Sequence, residues 1–229
     1  MHHLTILLNK AEAFIVIYNH TENKMQIKET ENEKLILEAA EAEFLEKGYA
    51  KSRTTEIAKR AGLTHAMLHY YFRTKENLFE VVFQRKAKLM SEILLLSFKK
   101  DLPFLDKIRN GIEDHFDLIA ANEKLPSFIF NEVRHDDNLR RIFVGIVKER
   151  ASLLLANIKQ DMETEVARGT IHYMNPYDLL YNIISLNAFV FMSAQVMCDI
   201  MDYNEEQKQK FLEHRKQMNV ETVLNQLRI

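Results

Sequence analysis

Apolar residues recur at helical spacing along almost the whole chain. Ile36, Ala39, Ala40 and Phe44 fall at i, i+3, i+4 and i+8, which places them on one face of a helix. Thr30 and Glu33 precede that run with the spacing of a capping box, and Gly48 supplies a left-handed stop. A second, short helix is predicted from Thr54 to Ala61, with Ile57 and Ala58 turned inward and Gly62 ending it. Thr64 then caps a third helix, His65 to Tyr71, and Lys75 to Phe98 forms a longer fourth. Two short helices separated only by Gly62, Leu63 and Thr64 have the geometry of a helix-turn-helix, in which the tight turn sets the two axes well off parallel.

The same periodicity continues without a change of composition. Asp101 and Pro103 open a helix that carries Leu105, Ile108, Ile112, Phe116 and Ile119 on one face. Pro126 starts a short helix, Asp137 or Asn138 a long one ending at Gly169, and Asn175-Pro176 is an N-cap and N1 pair. An amphipathic helix from Asn204 to Leu227 closes the pattern. The expected fold is all-α, of about nine helices, with a three-helix head (residues 30–75) joined to a C-terminal helical bundle (76–229). Residues 1–29 read as an N-terminal extension. Its apolar start, Met1 to Tyr18, is broken by Lys10 and Glu12 with no small-residue cleavage site after it, which argues against a secretory signal. Met25 stands just before the first convincing helix, so the residues before it are expected to be dispensable.

Composition agrees. Glycine (5) and proline (3) are scarce against the usual ~7% and ~5%, which disfavours sandwiches, barrels and dinucleotide-binding sheets, while 47% apolar content is ample for a core. Gly111 and Gly145 fall inside predicted helices, where close helix approach, room for a ligand or simple surface tolerance are all open. The lone Cys198 cannot form an internal disulfide and fits a reducing cytoplasm, and no zinc spacing occurs. Ile183 to Met201, the least polar stretch, carries Asn187, Ser193, Gln195 and Asp199, so a buried helix is expected rather than a membrane span. Phosphate loops, nucleophile elbows, His-Glu-x-x-His and Gly-x-Gly-x-x-Gly are all missing, so neither catalysis nor a cofactor is expected. His135, Asp136 and Asp137 cluster, but they read as a solvated turn before a helix rather than a metal site. Net charge is only −2, yet Lys51, Arg53, Lys59, Arg60, Arg73 and Lys75 gather around the helix-turn-helix with Glu56 as the lone acid among them. Such a basic footprint suits phosphate contact, though it also suits an ordinary solvated face.

The run from Ile57 to Phe79, IAKRAGLTHAMLHYYFRTKENLF, resembles the DNA-binding signature of the tetracycline-repressor (TetR) family. The family's preceding pattern is also present, as Ile36, Ala39, Ala40, Phe44, Gly48, Tyr49, Thr54 and Thr55. The match covers about residues 33 to 80 with unbroken spacing; Ala66 stands where glycine is frequent and His69 where tyrosine is, departures that bear on the operator sequence rather than the binding mode.

Read with the resemblance, Ile57, Ala58, Ala61, Leu63, Leu68 and Phe72 form the small core that aims the third helix. Thr54 and Thr55, at the start of the second helix, suit a phosphate and equally suit capping. Thr64, His65, Ala66 and Met67 form the first turn of the recognition helix, the part that meets base edges. There His65 suits a polar base edge, and Ala66 and Met67 suit a thymine methyl. His69 and Tyr70 lie a turn later and reach bases or backbone, Tyr71 is equally suited to packing inward, and Lys75 stands beside the phosphates. The resemblance implies a homodimer that binds a pseudo-palindromic duplex and packs its last two long helices as a four-helix bundle; Phe211, Met218, Val223, Leu224 and Leu227 face either that seam or the adjoining core. It also implies a small-molecule effector in the C-terminal bundle, with the fourth helix transmitting its effect. Phe116, Phe130, Asn187, Phe189, Met192 and Cys198 are candidates to line that pocket, with core packing as the alternative for each.

Overall fold

A computed structural model describes residues 30–98 and 102–229, and of 92–97 the backbone only; the N-terminal extension (1–29) and the helix-opening Asp101 lie outside the described residues. Among the described residues there are nine helices and no strand. They are α1 (Glu31–Lys51), α2 (Thr54–Arg60), α3 (His65–Phe72), α4 (Lys75–Ser97), α5 (Phe104–Ala121), α6 (Leu125–His135), α7 (Asp137–Ala167), α8 (Pro176–Ile200) and α9 (Glu205–Leu227). The all-α expectation holds, and the starts follow local chemistry. Thr30 accepts from the Glu33 N–H at 3.3 Å, Asn175 caps α8 ahead of Pro176, and Asn204 with Gln207 forms a complete capping box on α9. The Asp136 carboxylate accepts from the N–H groups of Asn138 and Leu139 at 2.8 and 3.0 Å, which is why α7 begins at Asp137.

Contacts divide the chain into two compact units. The first holds residues up to Leu89 together with Phe128–Phe143. It runs past residue 75 because three short helices cannot close a core alone: Leu78, Phe79, Val82 and Phe83 of α4 are buried, with the Phe79 ring edge-on to Phe44 at 4.8 Å. Gly48 interrupts α1 at φ 71°, ψ 170°, a conformation open essentially only to glycine. The bend brings Tyr49 back against Phe44 and Phe79, at 6.5 and 4.8 Å between ring centroids.

The second unit comprises Met90–Ser127 and Val144–Ile229. Ile108, Ile112, Leu154, Ile183, Val223 and Leu227 are central to its core, drawn from α5, α7, α8 and α9. Gly111 earns its place by close approach, since a Cβ there would lie 2.4 Å from the Phe98 ring, whereas Gly145 is exposed with open space around it. A polar chain crosses this apolar core. The Asn187 amide donates to the Ile112 carbonyl at 2.9 Å and lies 3.1 Å from His115 Nδ1; its oxygen accepts from Asn219 at 3.0 Å, and Asn219 accepts from Arg215 at 3.0 Å. Complete burial pushes the His115 pKa down to about 4, so the ring is neutral and Nδ1 is free to accept. Helix α8 is long and apolar enough to cross a membrane by length and composition alone. Asn187, buried and bonded to α5 and α9, ties it instead into a protein core.

Candidate nucleic-acid interface

The turn between α2 and α3 is built from its glycine outward. Gly62 takes φ 70°; its N–H donates to the Lys59 carbonyl at 3.1 Å, and the Leu63 N–H donates to Ala58 at 3.0 Å. This crossed pair of bonds is the Schellman ending, and it releases the chain after one glycine into the next helix. Thr64 then caps α3, its hydroxyl oxygen accepting from the Met67 N–H at 3.2 Å. Ile57, Ala58, Ala61, Leu68 and Phe72 are buried beneath, which locks the inward face of α3. Leu63 is half-buried.

What remains outward is the face the sequence singles out. Thr55, Thr64, His65, Ala66, His69 and Tyr70 are exposed, Tyr70 at 69%, while Thr54, Met67, Tyr71 and Lys75 are half-buried. Residues 65, 66, 69 and 70 share one side of α3 by helical spacing. Thr54 joins them from α2: its hydroxyl lies 3.0 Å from His65 Nε2, and the His65 and His69 rings sit 6.2 Å apart. Tyr70 stands edge-on to Tyr71 at 5.2 Å, with the Arg73 guanidinium 5.9 Å from the Tyr70 centroid.

The basic footprint divides on inspection. Arg60 turns toward α1, where it pairs with Glu46 at 3.1 Å and with the buried Glu43 at 3.5 Å, so it braces α2 rather than facing solvent freely. Lys51, Arg53, Lys59 and Arg73 are exposed. Lys75, in the first turn of α4, lies with its Nζ 4.4 Å from the centroid of the Tyr49 ring. The Tyr49 hydroxyl donates to Glu76 Oε1 at 2.6 Å; burial and that bond push its pKa up to about 12, so the phenol keeps its proton. The same bond holds the Glu76 carboxyl below its ordinary range. In the sequence Tyr49 is only one position of the family pattern. Its contact with Lys75 spans 26 residues of chain and has no local signal.

The six pocket candidates separate. Phe116, Asn187 and Cys198 are buried in the second unit, Phe116 packing on Phe191 at 4.8 Å and Asn187 saturated by the bonds above. Phe189 and Met192 lie on the exposed face of α8, and Phe130, in the first unit, is 40% exposed. At His135–Asp137 each residue has a local partner: His135 Nδ1 is 2.8 Å from the Asn131 carbonyl, Asp136 caps α7, and Asp137 pairs with Arg140 at 2.6 Å.

Residues 36–82 match the model of the bacterial regulatory proteins of the tetR family. The uncharacterised HTH-type transcriptional regulator YdgC of Bacillus subtilis is 36% identical over 169 residues, 69% of this chain and 87% of that protein. The fatty acid metabolism regulator protein of Bacillus subtilis is 27% identical over 146 residues, 59% of this chain and 75% of that one. The crystal structure of the transcriptional regulator FadR from Bacillus subtilis in complex with stearoyl-CoA has a similar fold, with a TM-score of 0.59 at 23% identity, covering 82% of this chain and 97% of that chain. The helix-turn-helix with its capped, outward-facing α3 and these relatives lead to one conclusion: the chain belongs to the tetR family of bacterial transcriptional regulators, which are DNA-binding proteins and not enzymes.

Proposed function

We propose that the chain is a cytoplasmic repressor that binds a pseudo-palindromic operator as a homodimer and is released by a small-molecule effector. Residues 30–75 serve as the reading head and 76–229 as the ligand-binding and dimerisation part. The observation that carries the reading is the outward face of α3, whose threonine, histidine and tyrosine groups are exposed while the opposite face is locked by Leu68 and Phe72. Thr54, Thr55 and Lys75 hold phosphates, and Thr64, His65, Ala66, Met67, His69 and Tyr70 meet the major groove.

One head reads only a few base pairs, so two are needed about one duplex turn (~34 Å) apart. The apolar outer stripe of α8 supports a dimer: Tyr177, Tyr181, Phe189, Met192, Val196 and Ile200 are all exposed. From α9, Met218 is exposed, whereas Val223, Leu224 and Leu227 are buried in the subunit's own core and Phe211 packs beside Phe116 and Leu212. The seam thus draws chiefly on α8. For the effector, the similarity to a fatty acid metabolism regulator and to a stearoyl-CoA complex makes a long-chain acyl-CoA the first class to try. Such an effector must favour the DNA-incompetent arrangement, since only differential affinity shifts an equilibrium.

A gel-shift assay on the DNA upstream of its own gene, run at rising salt and with stearoyl-CoA added, tests the reading. A discrete complex that weakens with salt and dissolves with the acyl-CoA is the expected result. Failure to form any discrete complex would overturn the DNA reading, and a complex indifferent to stearoyl-CoA would overturn the effector class.

A further inference from the structure

The grip of Lys75 depends on where its ammonium is held. Four observations converge on one neighbour. The Tyr49 ring lies under Lys75 Nζ at 4.4 Å, and its hydroxyl donates to Glu76 at 2.6 Å. The ring also packs near Phe79 and Phe44, at 4.8 and 6.5 Å between centroids, and the glycine conformation at residue 48 bends the chain just before it. A lysine side chain loses substantial rotamer freedom when it binds a phosphate, so a preformed perch removes part of that cost. The aromatic face attracts the cation without neutralising it, while the Glu76 carboxylate, which also feels the Lys75 charge, is engaged by the Tyr49 hydroxyl.

We propose that Tyr49 is a positioning residue for DNA binding: its ring presents the Lys75 ammonium, and its hydroxyl anchors the ring to the first turn of α4 through Glu76. The proposal rests on the reading that Lys75 contacts phosphate. Thr74, whose hydroxyl accepts from the Asn77 N–H at 3.1 Å, fixes the start of that helix independently, so the perch is not needed to begin α4.

Fluorescence anisotropy with a labelled random-sequence 30-base-pair duplex, titrated at several salt concentrations, tests the proposal in the full-length protein. Four variants are compared with the native chain: Lys75→Ala, Tyr49→Phe, Tyr49→Leu and the double variant Tyr49→Leu/Lys75→Ala. Lys75→Ala is expected to weaken binding about tenfold per head and to reduce the salt slope by about 0.9. Tyr49→Leu keeps apolar bulk but removes the ring face; it is expected to weaken binding about twofold to fivefold per head, with a reduced salt slope. Tyr49→Phe restores most of that loss. In the Lys75→Ala background, Tyr49→Leu costs nothing further. An unchanged affinity for Lys75→Ala would sink the phosphate reading itself. A normal Lys75→Ala loss combined with an additive Tyr49→Leu loss would overturn the positioning role alone, because a merely structural tyrosine weakens both backgrounds equally. Thermal melting of each variant separates misfolding from either outcome: a Tyr49→Leu chain that loses its cooperative transition transfers the decision to Tyr49→Gln, which keeps a polar group at that position but lacks a ring and must show the same loss only where Lys75 is present.

Discussion

Helices α3 and α8 each bury one face and expose the other, and their exposed faces are chemical opposites. On α3 the outward residues are His65, Ala66, His69 and Tyr70, rich in groups that exchange hydrogen bonds with water and with base edges alike. On α8 they are Tyr177, Tyr181, Phe189, Val196 and Ile200, between 60% and 74% exposed, and mostly without a polar group to satisfy. A helix face that pays no desolvation penalty in water suits a partner that stays wet; a contiguous apolar stripe suits a partner that excludes water. The inward faces differ as well. The buried residues of α3 itself, Leu68 and Phe72, are apolar, whereas on α8 the buried Asn187 is bonded to two neighbouring helices.

The largest expected effect comes from making the outer face of α8 resemble that of α3. Tyr181→Asp combined with Phe189→Asp should weaken self-association roughly a thousandfold, about 4 kcal/mol, because both side chains occur twice in a twofold interface. Both are exposed in the single chain, so helicity by circular dichroism should not change. Sedimentation equilibrium reads the outcome, and a double variant that sediments as the native chain does would remove α8 from the proposed seam.

Next in size is the inward side of α8. Asn187→Leu fits the apolar surroundings but strands the Asn219 amide and His115 Nδ1, at a cost of about 3 kcal/mol in urea unfolding. The equivalent swap beneath α3 has no counterpart, since no polar group is buried at Leu68 or Phe72. A fully stable Asn187→Leu chain would show that the polar chain contributes no more than apolar packing would.

His115 gives that buried chain a pH signature. Its folded pKa is depressed to about 4, against ~6.5 for an unfolded histidine. Between those values the unfolded chain takes up the proton more readily, so the group's contribution is complete above ~6.5 and declines as pH falls toward 4. From pH 7 to pH 5 the loss amounts to about 2 kcal/mol. Carboxylates elsewhere add their own slopes, so the useful quantity is the difference between the native chain and His115→Gln, measured by urea unfolding at both pH values. Identical pH dependence in the two proteins would contradict a neutral, buried imidazole.

The contrast between the two helices also explains what could be read without coordinates. The head was legible because each of its signals is local: Gly62 demands a positive φ, Thr64 sits where a cap must be, and Ile57, Leu68 and Phe72 follow helical spacing across one turn. Helix boundaries in the C-terminal bundle were legible for the same reason, as at Asn175-Pro176 and Asn204. Facing was not. Helix α8 is apolar nearly all round, so periodicity could not separate the core residues Ile183 and Val190 from the outward Phe189 and Met192. Leu224 and Leu227 are equally undecided between seam and core in the sequence, and only their burial in the cluster that holds Ile108 and Leu179 assigns them. The charge pattern is likewise silent on what each cation meets, as at Arg60. It counts as basic footprint in the sequence, while its guanidinium answers Glu43 and Glu46, whose proximity depends on how α1 and α2 pack.

The smallest effect sharpens the α3 side of the comparison. His65 is exposed on the face proposed to meet the bases, and its Nε2 lies 3.0 Å from the Thr54 hydroxyl, so the ring is already held in one orientation. His65→Ala removes one reader and leaves every lysine and arginine in place. It should therefore cost about 1–3 kcal/mol on the preferred sequence and almost nothing on random duplex, with an unchanged salt slope. Thr54→Val keeps the shape and removes the hydroxyl that steadies the ring, so it should give a fraction of the same loss at the same base pair. The readout is a panel of operators substituted one position at a time: a loss confined to one base pair in each half-site is expected. Uniform weakening across the panel would make His65 a backbone contact, and the reading of base sequence would then fall to Ala66, Met67, His69 and Tyr70.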